Sequence, residues 1–190
     1  MPRRMNSLRR YTAVASVAAL AFTLAACGSG KKNTDNLGSI STIPAKDRKP
    51  FPELSGTTLD GTKLDLSAYK GKVVVMNLWA SWCDACQAES RYLESTYEAY
   101  KDKGVQFVGI DARDNAGQGQ AFVKDQQITY PSLVDGDDGT LLTKLVGITS
   151  LAALPSTLII DKNGDLAWRA LRGIDSAELS AALGPVVAES

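Results

Sequence analysis

Over residues 51–188 short apolar blocks alternate with segments of helical period, separated by polar or glycine-containing turns. Ser55 to Leu66 reads as a hairpin turning at Asp60-Gly61. Lys72 to Trp79 is almost unbroken apolar sequence, the signature of a strand covered on both faces. A helix is predicted over residues 84–102, closing at Lys103-Gly104, and a second buried strand over Val105–Ile110. A helix over Gln118–Gln127, a short strand at Ser132–Val134 and a short helix at Thr140–Val146 follow. Ser156–Asp161 and Leu166–Leu171 pair around Lys162-Asn163-Gly164, and an amphipathic helix at Ser176–Val187 closes the chain. This order predicts an α/β domain with parallel and antiparallel strands in one sheet.

The upstream sequence follows another pattern. Residues 1–10 carry Arg3, Arg4, Arg9 and Arg10, and residues 11–26 are uncharged and mostly apolar. Sixteen residues fall short of the roughly 20 that a bilayer span needs, but suit the hydrophobic region of a signal peptide. The run ends in Leu24-Ala25-Ala26-Cys27-Gly28, which resembles a bacterial lipobox, with Cys27 lipidated and exposed as the new N-terminus. Tyr-Thr-Ala after Arg9-Arg10 fits a twin-arginine signal poorly, so the general secretory route is expected. Gly28 to Lys49 is polar, shows no apolar period, and reads as a flexible tether of about 25 Å. The expected organisation is therefore a signal peptide over 1–26, a lipidated N-terminus and tether over 27–49, and a folded domain over 50–188.

Lys plus Arg and Asp plus Glu both number 21, but removal of the four leader arginines leaves 17 basic against 21 acidic residues, about −4. No concentrated basic face points to nucleic acid. Histidine is absent, which excludes Ser/His/Asp and Cys/His catalysis and any histidine-ligated metal or haem.

If Cys27 is acylated, the remaining cysteines are Cys83 and Cys86, where the 72–79 strand gives way to a helix. Free N–H groups and the dipole at a helix start favour a thiolate, and the two-residue gap lets a disulfide open and close with little backbone movement. Cys83, nearer the helix start and solvent, is the expected attacking thiolate, with Cys86 resolving the mixed disulfide. A zinc site would need two further ligands, available only from another chain. A purely structural disulfide remains an alternative, although so small a loop contributes little chain-entropy stabilisation.

Trp79-Ala80-Ser81-Trp82-Cys83-Asp84-Ala85-Cys86 after an apolar strand resembles the active-site segment of the thioredoxin superfamily. Together with the lipobox, residues 56–70 and Gly71-Lys72-Val73-Val74-Val75, it is similar to the ResA/TlpA-type branch. Those are membrane-anchored bacterial proteins with an AhpC/TSA–redoxin-type domain. The resemblance spans roughly residues 50–188. It implies a thioredoxin-like fold, a central mixed β-sheet flanked by helices with an N-terminal β-hairpin extension. It also implies a redox-active Cys83–Cys86 disulfide that works without cofactor or metal. Glu89 stands where ResA-like proteins place an active-site glutamate; helical spacing returns it to the side of Cys86, whose proton it would exchange. A surface glutamate stabilised by the helix dipole is the bland reading. Asn77 stands where cytoplasmic thioredoxins carry a titrating aspartate, which leaves Glu89 as the substitute. Pro155 matches the family's cis-proline, where the Leu154-Pro155 peptide faces the dithiol and pairs with the substrate backbone. Trp82 is expected to cover the dithiol, Trp79 serves equally well as core, and Trp168 as packing. Two departures stand out: the 147–154 segment is longer than usual, and Asp84-Ala85 lacks the common proline. A carboxylate beside Cys83 disfavours its thiolate, a lean towards a reductase.

The implied activity is thiol–disulfide exchange at the extracytoplasmic face of the cell membrane, by a monomer held through lipid on Cys27. Its partners would be protein thiols and disulfides, apocytochrome c among them, and a membrane thiol electron donor. Two alternatives sit on the same fold. A peroxidase would use a lone activated cysteine with nearby Thr and Arg, which the CxxC fits poorly. A copper-handling lipoprotein would space its cysteines by three and add a histidine, leaving only thiol-based Cu(I) binding here.

Overall fold

The computed structural model describes residues 39–136, 138–149 and 152–189; the expected signal peptide, Cys27 and the first part of the expected tether lie outside them. Eight strands and four α-helices are described: β1 (Ile40–Thr42), β2 (Ser55–Thr57), β3 (Lys63–Asp65), β4 (Val73–Trp79), α1 (Asp84–Tyr100), β5 (Val105–Asp111), α2 (Ala116–Asp125), β6 (Ser132–Val134), α3 (Thr140–Lys144), β7 (Ser156–Ile160), β8 (Leu166–Ala170) and α4 (Ser176–Ala188). Six strands form one sheet in the order β1-β8-β7-β4-β5-β6. Strands β4, β5 and β6 run parallel, and β7, β8 and β1 antiparallel to their neighbours. Strands β2 and β3 form the separate hairpin that the Asp60-Gly61 turn predicts.

Every residue of β4 is buried, and the two-residue period of a strand sorts its side chains. Val73, Val75 and Trp79 join Cys86 and Leu93 of α1, Phe122 of α2, and Leu179, Leu183 and Val186 of α4. Val74, Met76 and Leu78 join Leu141 and Leu142 of α3 and Leu54 ahead of the hairpin. Both sheet faces are thus closed, which is why β4 and β5 read as continuous apolar runs. Asn77 shares the α1/α4 face, the one polar side chain in that strand.

Helix boundaries follow the capping chemistry. Asn115 caps α2 by accepting the Gln118 N–H at 3.0 Å, and Asp175 caps α4 by accepting the Glu178 N–H at 2.8 Å. Beyond α1 a single 3₁₀ turn, Lys101–Lys103, ends at Gly104 with φ +76°, a left-handed position that glycine takes without steric cost.

The domain begins earlier than the hydrophobic pattern predicts. Residues 39–51, expected as tether to residue 49, lie along β8: Ile40, Ser41 and Thr42 pair with Ala170, Arg169 and Trp168, and Pro50 bridges Asp165. A three-residue edge strand, Ile-Ser-Thr with its one apolar side chain exposed, is too short to show an apolar period and is invisible to that test. Arg48 fastens the arm, donating to Asp161 at 2.8 Å and to both carboxylate oxygens of Glu189 at 2.5 and 2.8 Å. The pairing raises the Arg48 pKa, the Glu189 bond first among its causes. The arm covers the otherwise free edge of β8 and ties it to the chain's C-terminal end.

Candidate active site

The C-terminal ends of β4 and β5 and the N-terminal start of β7 meet at one edge of the sheet. There β4 ends at Trp79, the chain turns through Ala80–Trp82, and α1 begins with Cys83 as its N-cap. Cys83 and Cys86 form a disulfide with Cα atoms 5.2 Å apart. Cys83 is 8% exposed and Cys86 2%, so Cys83 presents the sulfur that a partner reaches first. The Cys86 N–H points at Cys83 Sγ from 3.1 Å. A sulfur at the N-cap of a helix faces free N–H groups of the first turn, a setting that favours a thiolate over a thiol.

Glu89, one turn further along α1, is only 2% exposed, which rules out the surface reading. Asn77 Nδ2 donates to Glu89 Oε1 at 2.8 Å, and the Ile174 N–H to Oε2 at 3.1 Å. Asn77 also donates to Thr157 Oγ1 at 3.1 Å. Burial pushes the Glu89 pKa up to about 8, against the lowering effect of these two hydrogen bonds. The carboxyl therefore holds a proton at neutral pH and gives it up near the pKa of an ordinary cysteine thiol, about 8.5. Asn77, which cannot titrate, orients the carboxyl that does.

Leu154-Pro155 is a cis peptide, and Leu78 pairs with Ser156, which brings Pro155 to the dithiol end of the sheet. Gly173, in the β8–α4 loop, lies among the three parts of the site. A Cβ built there would be 3.9 Å from Ala85 O, Glu89 Oε2 and Pro155 Cγ alike. Leu154 is half-buried against both core clusters. Ser156 Oγ donates to Ala153 O at 2.7 Å and Thr149 Oγ1 lies 3.0 Å from Ser156 Oγ, so the long 147–154 segment is tied to the start of β7.

Trp82 is 56% exposed beside Cys83, and its indole N–H donates to Arg113 O at 3.4 Å. It leans on the loop after β5 as an exposed apolar face next to the disulfide. Trp79 is core, stacked on Phe122 with ring centroids 4.5 Å apart, and Trp168 is buried packing. Asp84 is exposed at the first position of α1. Among the described residues no three ligating side chains are grouped to hold a metal ion.

The hydrophobic pattern does not single out Asp111 and Asp114. Asp114 Oδ2 accepts the Ser81 N–H at 2.5 Å and Oδ1 the Ser81 hydroxyl at 2.9 Å, fastening the turn that carries the dithiol. Asp111 is buried at the end of β5, opposite Trp79. A carboxylate closing an apolar strand was the available signal.

A CxxC disulfide capping the helix that follows a central strand, opposite a cis X-Pro, defines a thioredoxin-like fold. Residues 48–169 match the model of the AhpC/TSA family, and the chain belongs to that family. Among curated relatives, the thiol-disulfide oxidoreductase ResA of Bacillus cereus is 35% identical over 116 residues, 61% of this chain and 64% of its own. The matched stretch thus spans just under two thirds of that relative. ResA of Geobacillus thermodenitrificans is 29% identical over 148 residues, 78% of this chain and 76% of its own. Among solved structures, a secreted thiol-disulfide isomerase from Corynebacterium glutamicum superposes with a TM-score of 0.74 at 28% identity, covering 84% of this chain and 95% of the other. A DsbF homologue from Corynebacterium diphtheriae gives 0.72 at 29% identity, covering 82% and 95%.

Proposed function

We propose that this protein is an exported, membrane-anchored thiol–disulfide oxidoreductase that reduces protein disulfides through Cys83 and Cys86. The observation that carries the reading is Glu89, a carboxyl buried on the helix that begins at the dithiol and held there by Asn77 and Ile174. A structural disulfide has no use for such a group. The relatives named as thiol-disulfide oxidoreductases and isomerases support the same chemistry.

In the reduced protein the Cys83 thiolate attacks one sulfur of a substrate disulfide. The substrate S–S bond breaks, a mixed disulfide forms, and the released substrate thiolate takes a proton. Cys86 then passes its proton to Glu89, in the ionised form that the carboxyl reaches increasingly as pH rises towards 8, and attacks Cys83 Sγ. That step expels the second substrate thiolate and closes the Cys83–Cys86 bond. Two electrons have moved to the substrate, and an external dithiol, of the class of a membrane thiol carrier, restores the reduced pair. Leu154-Pro155 lines the approach to the dithiol and offers backbone to a bound chain, while Trp82 supplies an apolar contact. Within this reading, apocytochrome c is the substrate proposed from the family resemblance.

The leader sequence and the lipobox-like run at Cys27 support anchoring outside the cytoplasm. The described residues begin at residue 39, with eleven residues between it and Cys27 in the sequence. Wild type is expected in the detergent phase on phase partition and Cys27→Ser in the aqueous phase; identical partition overturns the lipid anchor.

The direction of exchange is tested by the reduction potential of the Cys83–Cys86 couple, equilibrated against glutathione or dithiothreitol. A value near or below about −250 mV is expected of a reductase, whereas a value above about −180 mV would make the protein a disulfide donor and remove the apocytochrome reading.

A further inference from the structure

Several buried titratable groups take no part in the proposed exchange, Asp111 among them. Asp111 closes β5, opposite Trp79 of β4 and Val134 of β6. Its carboxyl is 1% exposed, and neither oxygen meets a hydrogen-bond donor among the described residues. Helix α2 presses bare backbone against it: a Cβ on Gly119 would lie 2.0 Å from Asp111 Oδ2. Buried carboxylates are ordinarily paired or hydrogen-bonded, so an orphan in this place calls for a reason.

The reason lies three residues on. The chain turns back through Arg113, which adopts φ +60°, an uncommon conformation for a side chain of that size, and this sets Asp114 beside Asp111. Asp114 in turn holds Ser81 by its N–H and its hydroxyl. Ser81 stands two residues before Cys83, and its carbonyl accepts from Gln87 Nε2 at 3.1 Å. One continuous set of contacts therefore runs from the buried end of β5 to the dithiol turn.

We propose that Asp111 is a positioning residue of the dithiol turn, holding a proton that it donates to Asp114 and so keeping the Asp114 clamp on Ser81 closed. With the proton lost, two carboxylates face each other, and Asp114, half-buried on the loop after β5, is the one that moves away. The clamp then opens. Burial first, and then the charge and hydrogen bond of Asp114, push the Asp111 pKa up to about 8, so the shared proton is present at neutral pH.

Arg113 is exposed and acts on Asp135, whose carboxylate accepts the Leu141 and Leu142 N–H groups at 2.8 and 3.0 Å. Asp60 of the hairpin is exposed and engaged by Thr58 and Thr62. Lys124 and Asp125 of α2 lie more than a turn beyond Gly119. Strand β4 brings no charged side chain to this pair of carboxylates. The consequence for thiol chemistry rests on the oxidoreductase reading; the coupling from Asp111 to Ser81 does not.

The test uses the full chain in its disulfide form, labelled with ¹³C at the aspartate Cγ and ¹⁵N at the backbone, titrated by NMR from about pH 5.5 to 9.5. Asp111 Cγ, assigned by its loss in Asp111→Asn, is expected to titrate with a midpoint at about 8. The Ser81 amide signal should shift with the same midpoint, in wild type and in Glu89→Gln alike. Asp111→Asn, whose amide imitates the protonated acid, should abolish the Ser81 step. Should that variant not fold, Asp114→Asn serves instead, and removal of the like charge should lower the Asp111 midpoint, with burial still holding it above the ordinary carboxylate range. Titration of Asp111 in that ordinary range in wild type overturns the proposal. So does a Ser81 step that survives Asp111→Asn or vanishes in Glu89→Gln. None of these readouts needs turnover, so a failure of the proposed activity would leave them standing.

Discussion

With Cys86 replaced by alanine, the reduced protein captures a disulfide substrate and keeps it, and turnover falls by about a thousandfold or more. The expectation follows from how α1 begins. Cys83 is the N-cap and the more exposed sulfur; Cys86 lies inside the first turn at 2% exposure, where a folded substrate cannot reach it. Without Cys86 the first exchange still proceeds, because the groups that stabilise the Cys83 thiolate are backbone N–H groups that the substitution leaves in place. The second does not, and the mixed disulfide accumulates as a covalent adduct visible by mass under non-reducing conditions. Cys83→Ala is expected to lose turnover equally and to form no adduct. An adduct on Cys83→Ala, with none on Cys86→Ala, would reverse the two roles. Undiminished peroxide consumption by Cys86→Ala would favour the peroxidase reading, in which a single cysteine carries the chemistry.

The parts of this site legible in the sequence are those dictated by local chemistry. An apolar run, a CxxC and a helical period place Cys83 and Cys86 at a helix start with no knowledge of tertiary structure, and the structure joins them in a disulfide. Glu89 was legible as a position but not as an environment. Three-residue spacing puts it on the side of Cys86, yet only the packing of the β8–α4 loop, with the Ile174 N–H and Asn77 closing over it, makes it a buried carboxyl. Asp111, Asp114 and Ser81 are brought together across more than thirty residues by a parallel strand pairing, which no local pattern encodes. The arm at residues 39–51 shows the opposite failure. Its polarity is genuine, but the structure derives from pairing with β8 and from the Arg48 contacts to Asp161 and Glu189. Apolar periodicity reports burial of side chains, and an edge strand is held mainly by its backbone.

Glu89→Gln is expected to remove both a rate and a slope. A base for Cys86 must be ionised, so in wild type the resolving step rises with pH until Glu89 is deprotonated near pH 8 and then levels. The variant loses that limb, and the resolving step slows by about a hundredfold, the lower end of what a positioned general base supplies. Stability gives an independent reading on the disulfide form. The folded-state pKa stands near 8 against an ordinary 4.5, so between those values the folded state holds a proton that the unfolded chain has released. Folding is therefore most favoured below about pH 4.5 and loses about 1.4 kcal/mol per pH unit from this group as pH rises, until the loss ends near 8. Glutamine carries no such proton. Below that window the variant is the less stable protein, because its amide must set a donor against the N–H of Ile174 or against Asn77 Nδ2. Between pH 5 and 7 the stability difference should swing by about 3 kcal/mol in favour of the variant. Chemical denaturation across that range measures it, and Asp111, present in both proteins, cancels from the comparison. A difference that stays flat with pH would mean that Glu89 is ionised in the fold, and the base proposed for Cys86 would then have no reason to be buried. A rate limb that survives the substitution would move the role to another group, with Asp111 the first to examine.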